Sequence, residues 1–360
     1  MVRPIQIAGA GLGGLSAAVL LADDFEVDVY EAKDRVGFPS GDDIQAVRNY
    51  GMQQDQFKFF EDNGLSFDFY QPIKKIIKYA PSGKSMTIKS ENGPLFYSFK
   101  RGPNSKSLEQ QLYSQAIGKG VRFSFNSRKT LKSVDIVSTG AVYRNIWAYG
   151  AFYQDVKIDN SAIHFFMDNN YCPQGYIYVI PYGKNEVAIA ATTYDTSCPL
   201  PRLFKKFLVE NSVVKEIIDG GTFIHNTSGY AYSNVPTSAQ VGGVKFVGGS
   251  AGFVEAARGF GVKYAIESGI YCAKSFKENT SYDALWKNAF EADLLDGFRR
   301  RLLLEKFGND DYEKLLQGDE VTISKYKKIP LPFSEQFENL KNTYYLNEWR
   351  AKYSLDKLLL

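Results

Sequence analysis

A glycine-rich turn between two short apolar runs constrains this chain more than any other feature. Ile5-Gln6-Ile7-Ala8 reads as a buried strand, and Gly9-Ala10-Gly11-Leu12-Gly13-Gly14 follows it directly. Leu15 to Ala22 continues as a helix of small and apolar residues. Val27-Asp28-Val29-Tyr30-Glu31 then alternates as a second strand that ends in an acid. Such a unit opens a parallel, doubly wound sheet. Gly9 permits the tight turn, Gly11 lets a pyrophosphate approach the backbone, and Gly14 lets the helix sit close on the strand. The helix N-terminus offers free N–H groups and partial positive charge to the same pyrophosphate. Glu31 falls 22 residues after Gly9, where a carboxylate accepts the hydroxyls of an adenosine ribose and disfavours a 2′-phosphate.

The texture then changes. Short alternating runs from Ile76 to Phe99, broken by Pro81-Ser82-Gly83 and Asn92-Gly93-Pro94, predict an antiparallel meander. A helix is expected from Leu108 to Ile117, then strands at Val121–Phe125 and Val134–Val137. Strands dominate from Tyr143 to Tyr232, with Tyr176–Pro181 and Glu186–Thr193 forming a hairpin around Gly183 and one helix at Leu203–Ile218. After Pro236 the first texture returns: a strand at Val244–Val247, a glycine turn, and a helix from Gly261 to Phe276. The tail from Tyr282 to Tyr353 reads as helical and charged.

The expected fold class is therefore α/β, with a discontinuous Rossmann-like domain, an inserted antiparallel substrate domain and a helical C-terminal region. The boundaries fall at 1–75, 99–142 and 236–281 for the first, 76–98 and 143–235 for the second, and 282–360 for the third.

Charge and cysteine usage exclude several classes. With 43 Lys and Arg against 40 Asp and Glu, the net charge of +3 gives no bulk field for nucleic acid. Cys172, Cys198 and Cys272 are odd in number and far apart, so no disulfide framework is expected. His164 and His225 do not complete a metal-ligand spacing with them, and no metal site is expected. The start lacks the shape of a signal peptide, and the run Ile7–Ala22 is short for a membrane span and interrupted by glycines. A cytoplasmic chain follows, at most peripheral at a membrane. Arg299-Arg300-Arg301 before Leu302-Leu303-Leu304 is either a contact with an anionic membrane surface or, more simply, a solvated helix face.

A second glycine-rich stretch runs from Gly248-Gly249-Ser250-Ala251-Gly252 to Arg258-Gly259-Phe260-Gly261-Val262 and into a helix reaching Gly269. Together with the first turn, Glu31, Val36-Gly37-Phe38-Pro39, Lys100-Arg101-Gly102, Gly175–Pro181 and the Trp286–Tyr312 region, it makes the chain resemble the geranylgeranyl reductases. These are FAD-dependent flavoproteins of the para-hydroxybenzoate hydroxylase type, and the resemblance runs from Pro4 to about Leu316. It implies that Gly9, Gly11, Gly13, Gly14 and Glu31 hold the ADP half of FAD. Asp42 and Asp43 would lie in a loop near the flavin, Arg101 near the cofactor phosphates, and the Gly261 and Val262 amides against the ring. Tyr176, Tyr178 and Ile180 alternate on one strand face and would line an apolar substrate pocket.

The chain also departs from the family pattern. Gly249 stands where many relatives carry an aspartate for the ribityl chain, and Thr139-Gly140 replaces an Asp-Gly. The loop after the second strand has no cysteine, and Asp42 falls at that place.

The resemblance implies reduction of carbon–carbon double bonds in an isoprenoid lipid or similar apolar substrate, with an electron donor of the NAD(P)H, ferredoxin or quinol kind. No catalytic residue is assigned. The alternative is an FAD-dependent monooxygenase of an aromatic or polycyclic substrate. A third is a non-catalytic lipid-binding relative with a weakened flavin site.

Overall fold

The computed structural model describes residues 3–37, 42–316 and 320–324. Strand β1 (Ile5–Ala8), helix α1 (Leu12–Leu21) and strand β2 (Val27–Tyr30) form the expected opening unit, with β1 and β2 parallel. Every residue of α1 is buried, which is why its sequence is uniformly small or apolar instead of amphipathic.

The chain continues through β3 (Asp43–Arg48), α2 (Gln56–Asp62), β4 (Gln71–Ile73), β5 (Lys75–Tyr79), β6 (Ser85–Ser90) and β7 (Phe96–Arg101). The predicted meander here is only partly formed. β5 and β6 pair antiparallel, but β7 leaves them and pairs with β3 and β4 in a separate three-stranded sheet. Phe96, Tyr97, Ser98 and Phe99 are all buried, so β7 is covered on both faces. Alternation alone does not reveal such a strand.

Next come α3 (Leu108–Gly118), β8 (Arg122–Ser124), β9 (Ile136–Val137), β10 (Ile146–Gln154), β11 (Ala162–Phe166), β12 (Gly175–Tyr182) and β13 (Glu186–Thr193). The hairpin of β12 and β13 forms as expected, and Gly183 adopts φ +65° in its turn. The helix expected at Leu203–Ile218 is two: α4 (Leu200–Glu210) and α5 (Ser212–Ile218). Asn211 interrupts them with extended backbone, and its side chain accepts the Val214 N–H to cap α5. Then follow β14 (Thr222–Ala231), β15 (Gln240–Val241), β16 (Val244–Phe246), α6 (Val262–Lys277), α7 (Tyr282–Trp286), α8 (Ala292–Leu304), α9 (Asn309–Leu315) and β17 (Glu320–Ile323).

Three sheets result. The first has the order β15-β16-β9-β1-β2-β8 and is parallel apart from β15, so the segment after Pro236 does return to the opening sheet. The second is a mixed sheet, β14-β10-β13-β12-β11-β5-β6-β17, and the third is β3-β7-β4. The predicted helical tail holds for α7 to α9. After it, β17 adds a parallel strand to the edge of β6, and the remainder of the predicted tail lies outside the described residues.

One core packs α1, α3 and α6 around the parallel sheet. A second lies between the large sheet and α4–α5. A third joins Ile44, Ala46, Ile73 and Phe96 of the small sheet to Ile163 and Ile180 of the large one. Among the described residues no helix is long and apolar enough to cross a membrane.

The basic cluster on α8 is not one solvated face, and the expectation for Arg301 is corrected. Arg301 is 2% exposed, 3.6 Å from Glu305, with its guanidinium 4.8 Å above the Tyr194 ring. Arg300 pairs with Asp296 at 2.9 Å. Cys172, Cys198 and Cys272 are buried and unbridged.

Candidate cofactor and substrate cleft

A cleft of about 830 Å³ is lined by residues of the parallel sheet, the large mixed sheet and the small antiparallel one. Gly9, Gly11, Gly13, Glu31, Arg101, Gly249, Gly261, Val262, Tyr176, Tyr178 and Ile180 all line it. The structure thus gathers into one cavity residues that the sequence spreads over more than 250 positions. Gly14, Asp42 and Asp43 are not part of that lining among the described residues. Gly14 instead donates its N–H to Ser138 Oγ at 2.8 Å, and an added Cβ would lie 2.5 Å from the Gly9 carbonyl oxygen. That is the close packing expected of it.

The turn after β1 excludes side chains and leaves backbone amides unpartnered. Gly9 has φ +94°, and a Cβ there would meet the Ser138 carbonyl oxygen at 2.4 Å, so no side chain fits. Gly11 is the N-cap of α1 and supplies no side-chain cap, which leaves the Leu12 and Gly13 amides to a ligand. At the end of β2, Glu31 Oε2 accepts the Ala10 N–H at 2.8 Å and Oε1 accepts the Lys33 N–H at 3.0 Å. A carboxylate has about four acceptor sites, so Glu31 holds the turn and still has capacity for ribose hydroxyls. Lys129, with its ammonium 4.4 Å above the Tyr30 ring, and Arg128 line the same end. No motif flagged these two cations, because they reach the cleft from the loop after β8.

The middle of the cleft carries a polar wall. Arg101 Nε donates to Glu109 Oε1 at 2.6 Å, and its Nη1 donates to Gln45 Oε1 at 2.6 Å. Gln45 Nε2 in turn donates to Asp43 Oδ2 at 3.0 Å. Burial raises the Asp43 carboxyl above its ordinary value, against the opposing pull of that hydrogen bond and of Arg101. Asp42 accepts a hydrogen bond from Asn104 Nδ2 at 3.2 Å. The loop segment Phe38-Pro39 lies outside the described residues.

The far end is apolar. Tyr176, Tyr178 and Ile180 face the cleft together with Phe96, Ile163, Phe165 and Phe260. Ile177 and Val179 point the other way, into the core with Phe204 and Phe207 of α4. Burial pushes the Tyr176 and Tyr178 hydroxyls up, so both stay protonated at neutral pH and each can donate a hydrogen bond as well as accept one. The N-terminus of helix α6 lines the cleft, with Gly261 as its N-cap and no side-chain cap.

His164 lies on β11, buried, with Nδ1 3.1 Å from the Tyr79 hydroxyl, and burial pushes its imidazole down to about 4. It is packing rather than a cleft residue. Among the described residues no cluster of three metal-ligating side chains occurs.

The comparisons with known proteins agree with this fold. Residues 7–55 match the family described as NAD(P)-binding Rossmann-like domain. A solved geranylgeranyl bacteriochlorophyll reductase-like protein from Thermoplasma acidophilum superposes with a TM-score of 0.72, covering 97% of this chain and 98% of that one at 18% identity. The chain has the fold of that reductase-like protein.

Other solved structures share the fold more distantly. The flavin-dependent brominase Bmp2 gives a TM-score of 0.61 over 97% of this chain and 99% of its own, at 12% identity. The digeranylgeranylglycerophospholipid reductase of Methanocaldococcus jannaschii is 20% identical, over 91% of this chain and 94% of that protein. An uncharacterised protein of the same organism is 25% identical over 45% of this chain, and the match spans only 43% of that relative's length. The chain shares its fold with these solved structures.

Proposed function

We propose that this chain is an FAD-dependent oxidoreductase that saturates carbon–carbon double bonds of an isoprenoid lipid or a similar apolar substrate. One observation carries the proposal: a single cleft joins the uncapped glycine turn and Glu31 at one end to the aromatic face of β12 at the other. The residues fit FAD, since the turn excludes side chains, the Leu12 and Gly13 amides at the start of α1 are open, and Glu31 retains acceptor capacity. Bound FAD, once reduced, supplies hydride chemistry that no side chain in the cleft possesses.

The chain's own residues do the rest. Gly9, Gly11 and the α1 N-terminus bind the pyrophosphate, Glu31 the adenosine ribose, and Arg101 adds positive charge beside the phosphates. Gly261 and Val262 present amides where negative charge develops on the ring. Tyr176, Tyr178 and Ile180 orient an apolar chain and keep water from the reacting carbon. The protonated hydroxyl of Tyr178, which shares a hydrogen bond with Thr192, is positioned to hold a proton near that carbon.

The similarity to a digeranylgeranylglycerophospholipid reductase over nearly the whole chain supports the isoprenoid substrate class. The test is anaerobic. Protein loaded with FAD and reduced by dithionite is mixed with a geranylgeranyl lipid, and saturation is followed by mass spectrometry. Mass gains of two hydrogens per double bond support the reading. No saturation, with oxygen uptake on adding NAD(P)H and an aromatic substrate, supports a monooxygenase instead.

A further inference from the structure

Glu109 is the residue whose environment is incomplete. It stands in the first turn of α3, 5% exposed, and lines the cleft. Ser107 fixes the start of that helix: its Oγ donates to the Gly102 carbonyl at 2.7 Å and accepts the Gln110 N–H. Glu109 Oε1 takes the Arg101 Nε hydrogen at 2.6 Å. Glu109 Oε2 is buried and accepts no hydrogen bond. A buried carboxylate oxygen without a donor is rare and costly in a folded protein. Glu109 lines the cleft, so the missing donor belongs to what fills that cleft.

The chemistry of the donor follows from that of the acceptor. An ionised carboxylate only accepts, so the ligand group must carry a hydrogen. That rules out the pyrophosphate, whose oxygens would repel it and suit Arg101 instead. The adenosine ribose hydroxyls already face Glu31. The ring has its uncapped helix end at Gly261 and Val262. The stretch of FAD between phosphate and ring is a polyol, a row of hydroxyl donors.

We infer that Glu109 is the acceptor for the ribityl hydroxyls of bound FAD, with Arg101 holding its carboxylate in place and itself reaching the phosphates. The inference rests on the FAD reading above and deepens it. It also accounts for how a cleft with glycine at position 249 binds the polyol: the acceptor comes from the opposite segment of the chain, α3, not from the late turn. Gln45 and Asp43 extend the wall behind Arg101 and keep its guanidinium from rotating away.

The experiment measures equilibrium binding of FAD, of ADP, and of FAD analogues each lacking one ribityl hydroxyl, by flavin fluorescence and calorimetry. Wild-type protein should bind at least one deoxyribityl analogue about tenfold more weakly than FAD, the loss of one charged hydrogen bond. Glu109→Gln should weaken FAD by a similar factor, leave ADP affinity unchanged, and no longer distinguish FAD from that analogue. Glu109→Asp, which keeps the charge on a shorter stem, should recover part of the loss.

Wild-type protein that binds every deoxyribityl analogue as tightly as FAD overturns the inference and leaves the FAD reading intact. So does a Glu109→Gln protein in which FAD and ADP affinity fall together, because that marks a purely structural ion pair. Wild-type protein that binds ADP but not FAD overturns both.

Discussion

The Tyr176 hydroxyl donates a hydrogen bond to the backbone carbonyl of Arg258, tying the aromatic face of β12 to the second glycine-rich turn. Two segments 82 residues apart in sequence thereby share one wall of the cleft. Tyr176 is 7% exposed, so the donor side of this hydrogen bond is largely shielded from solvent. Tyr176→Phe should destabilise the fold by roughly 1–3 kcal/mol, the cost of a buried acceptor left unpaired. It should also loosen the turn that ends in Gly261, so FAD affinity falls while ADP affinity does not. Thermal melts with separate FAD and ADP titrations check both statements; equal loss for the two nucleotides would contradict the link to the ring end.

Glu31 has two tasks, and a substitution separates them. Its carboxylate braces the turn through Ala10 and Lys33, and it lines the cleft at the end proposed for the adenosine ribose. Glu31→Ala should weaken FAD and ADP alike by about tenfold or more, since charged hydrogen bonds are worth about 1.5–3 kcal/mol. Glu31→Gln retains a carbonyl acceptor and should lose less. Unchanged affinity for both nucleotides would place the adenosine elsewhere.

Gly249 tests the departure seen in the sequence. Gly248 takes a positive φ of 58°, but Gly249 is absent from the left-handed set, and a Cβ there would find its nearest neighbour at 3.4 Å, an ordinary contact. Gly249→Asp should therefore fold normally and tighten FAD, while Gly9→Ala, with its Cβ 2.4 Å from the Ser138 oxygen, should not yield folded protein. Expression, melting temperature and FAD titration of the pair decide. A folded Gly249→Asp protein with weaker FAD binding would mean that the aspartate points away from the polyol.

The parts legible in the sequence are those whose chemistry is local. Gly9, Gly14 and Glu31 announce a nucleotide turn because backbone geometry and one carboxylate at fixed spacing are needed together. The alternation of Tyr176, Tyr178 and Ile180 gives a strand face directly. What was not legible depends on tertiary contact. β7 is buried on both faces and leaves its meander; Asn211 splits a helix by taking extended backbone; β17 returns to the edge of β6. Glu109, Gln45, Arg128 and Lys129 reach the cleft from segments with no motif. Arg301 looked solvated because three arginines in a row usually are, yet the helix turns that one inward over Tyr194.

The buried His164 sets a pH dependence of stability. Burial pushes its imidazole from 6.5 down to about 4, with Asp159 opposing weakly. The ring is thus neutral in the fold, while the unfolded chain takes up a proton below about 6.5. Its favourable contribution is fully present above that pH and is lost as pH falls toward 4, because the unfolded state then binds more protons. The loss is about 3 kcal/mol at most, at 1.36 kcal/mol per pH unit. His164→Gln keeps a partner for the Tyr79 hydroxyl and should flatten stability between pH 6.5 and 4. Denaturant melts across that range, compared with wild type, give the difference; parallel curves would assign the acid sensitivity to other groups.

Tyr178 decides whether the large sheet selects the substrate. Its side chain lines the cleft beside Tyr176 and Ile180, and its hydroxyl shares a hydrogen bond with Thr192, another lining residue. If this face holds an apolar chain over the reacting end of the cofactor, Tyr178→Ala enlarges the pocket and lets the alkene drift from its reactive pose. A displacement of about 1 Å can cost roughly a hundredfold in rate. FAD affinity should remain near normal, since the glycine turn and Glu31 belong to a different sheet. Tyr178→Phe keeps the ring and removes only the hydroxyl, so it should preserve substrate affinity while slowing turnover if that hydroxyl holds the proton. A packing role predicts the opposite pattern for the alanine variant: a stability loss of about 3–5 kcal/mol with turnover per folded molecule preserved. Melting temperature, FAD content and isoprenoid reduction measured on one preparation separate the two. Should Tyr178→Ala shed FAD or unfold while its folded fraction reduces substrate at the wild-type rate, the aromatic face of β12 is a core surface and the substrate contacts lie elsewhere in the cleft.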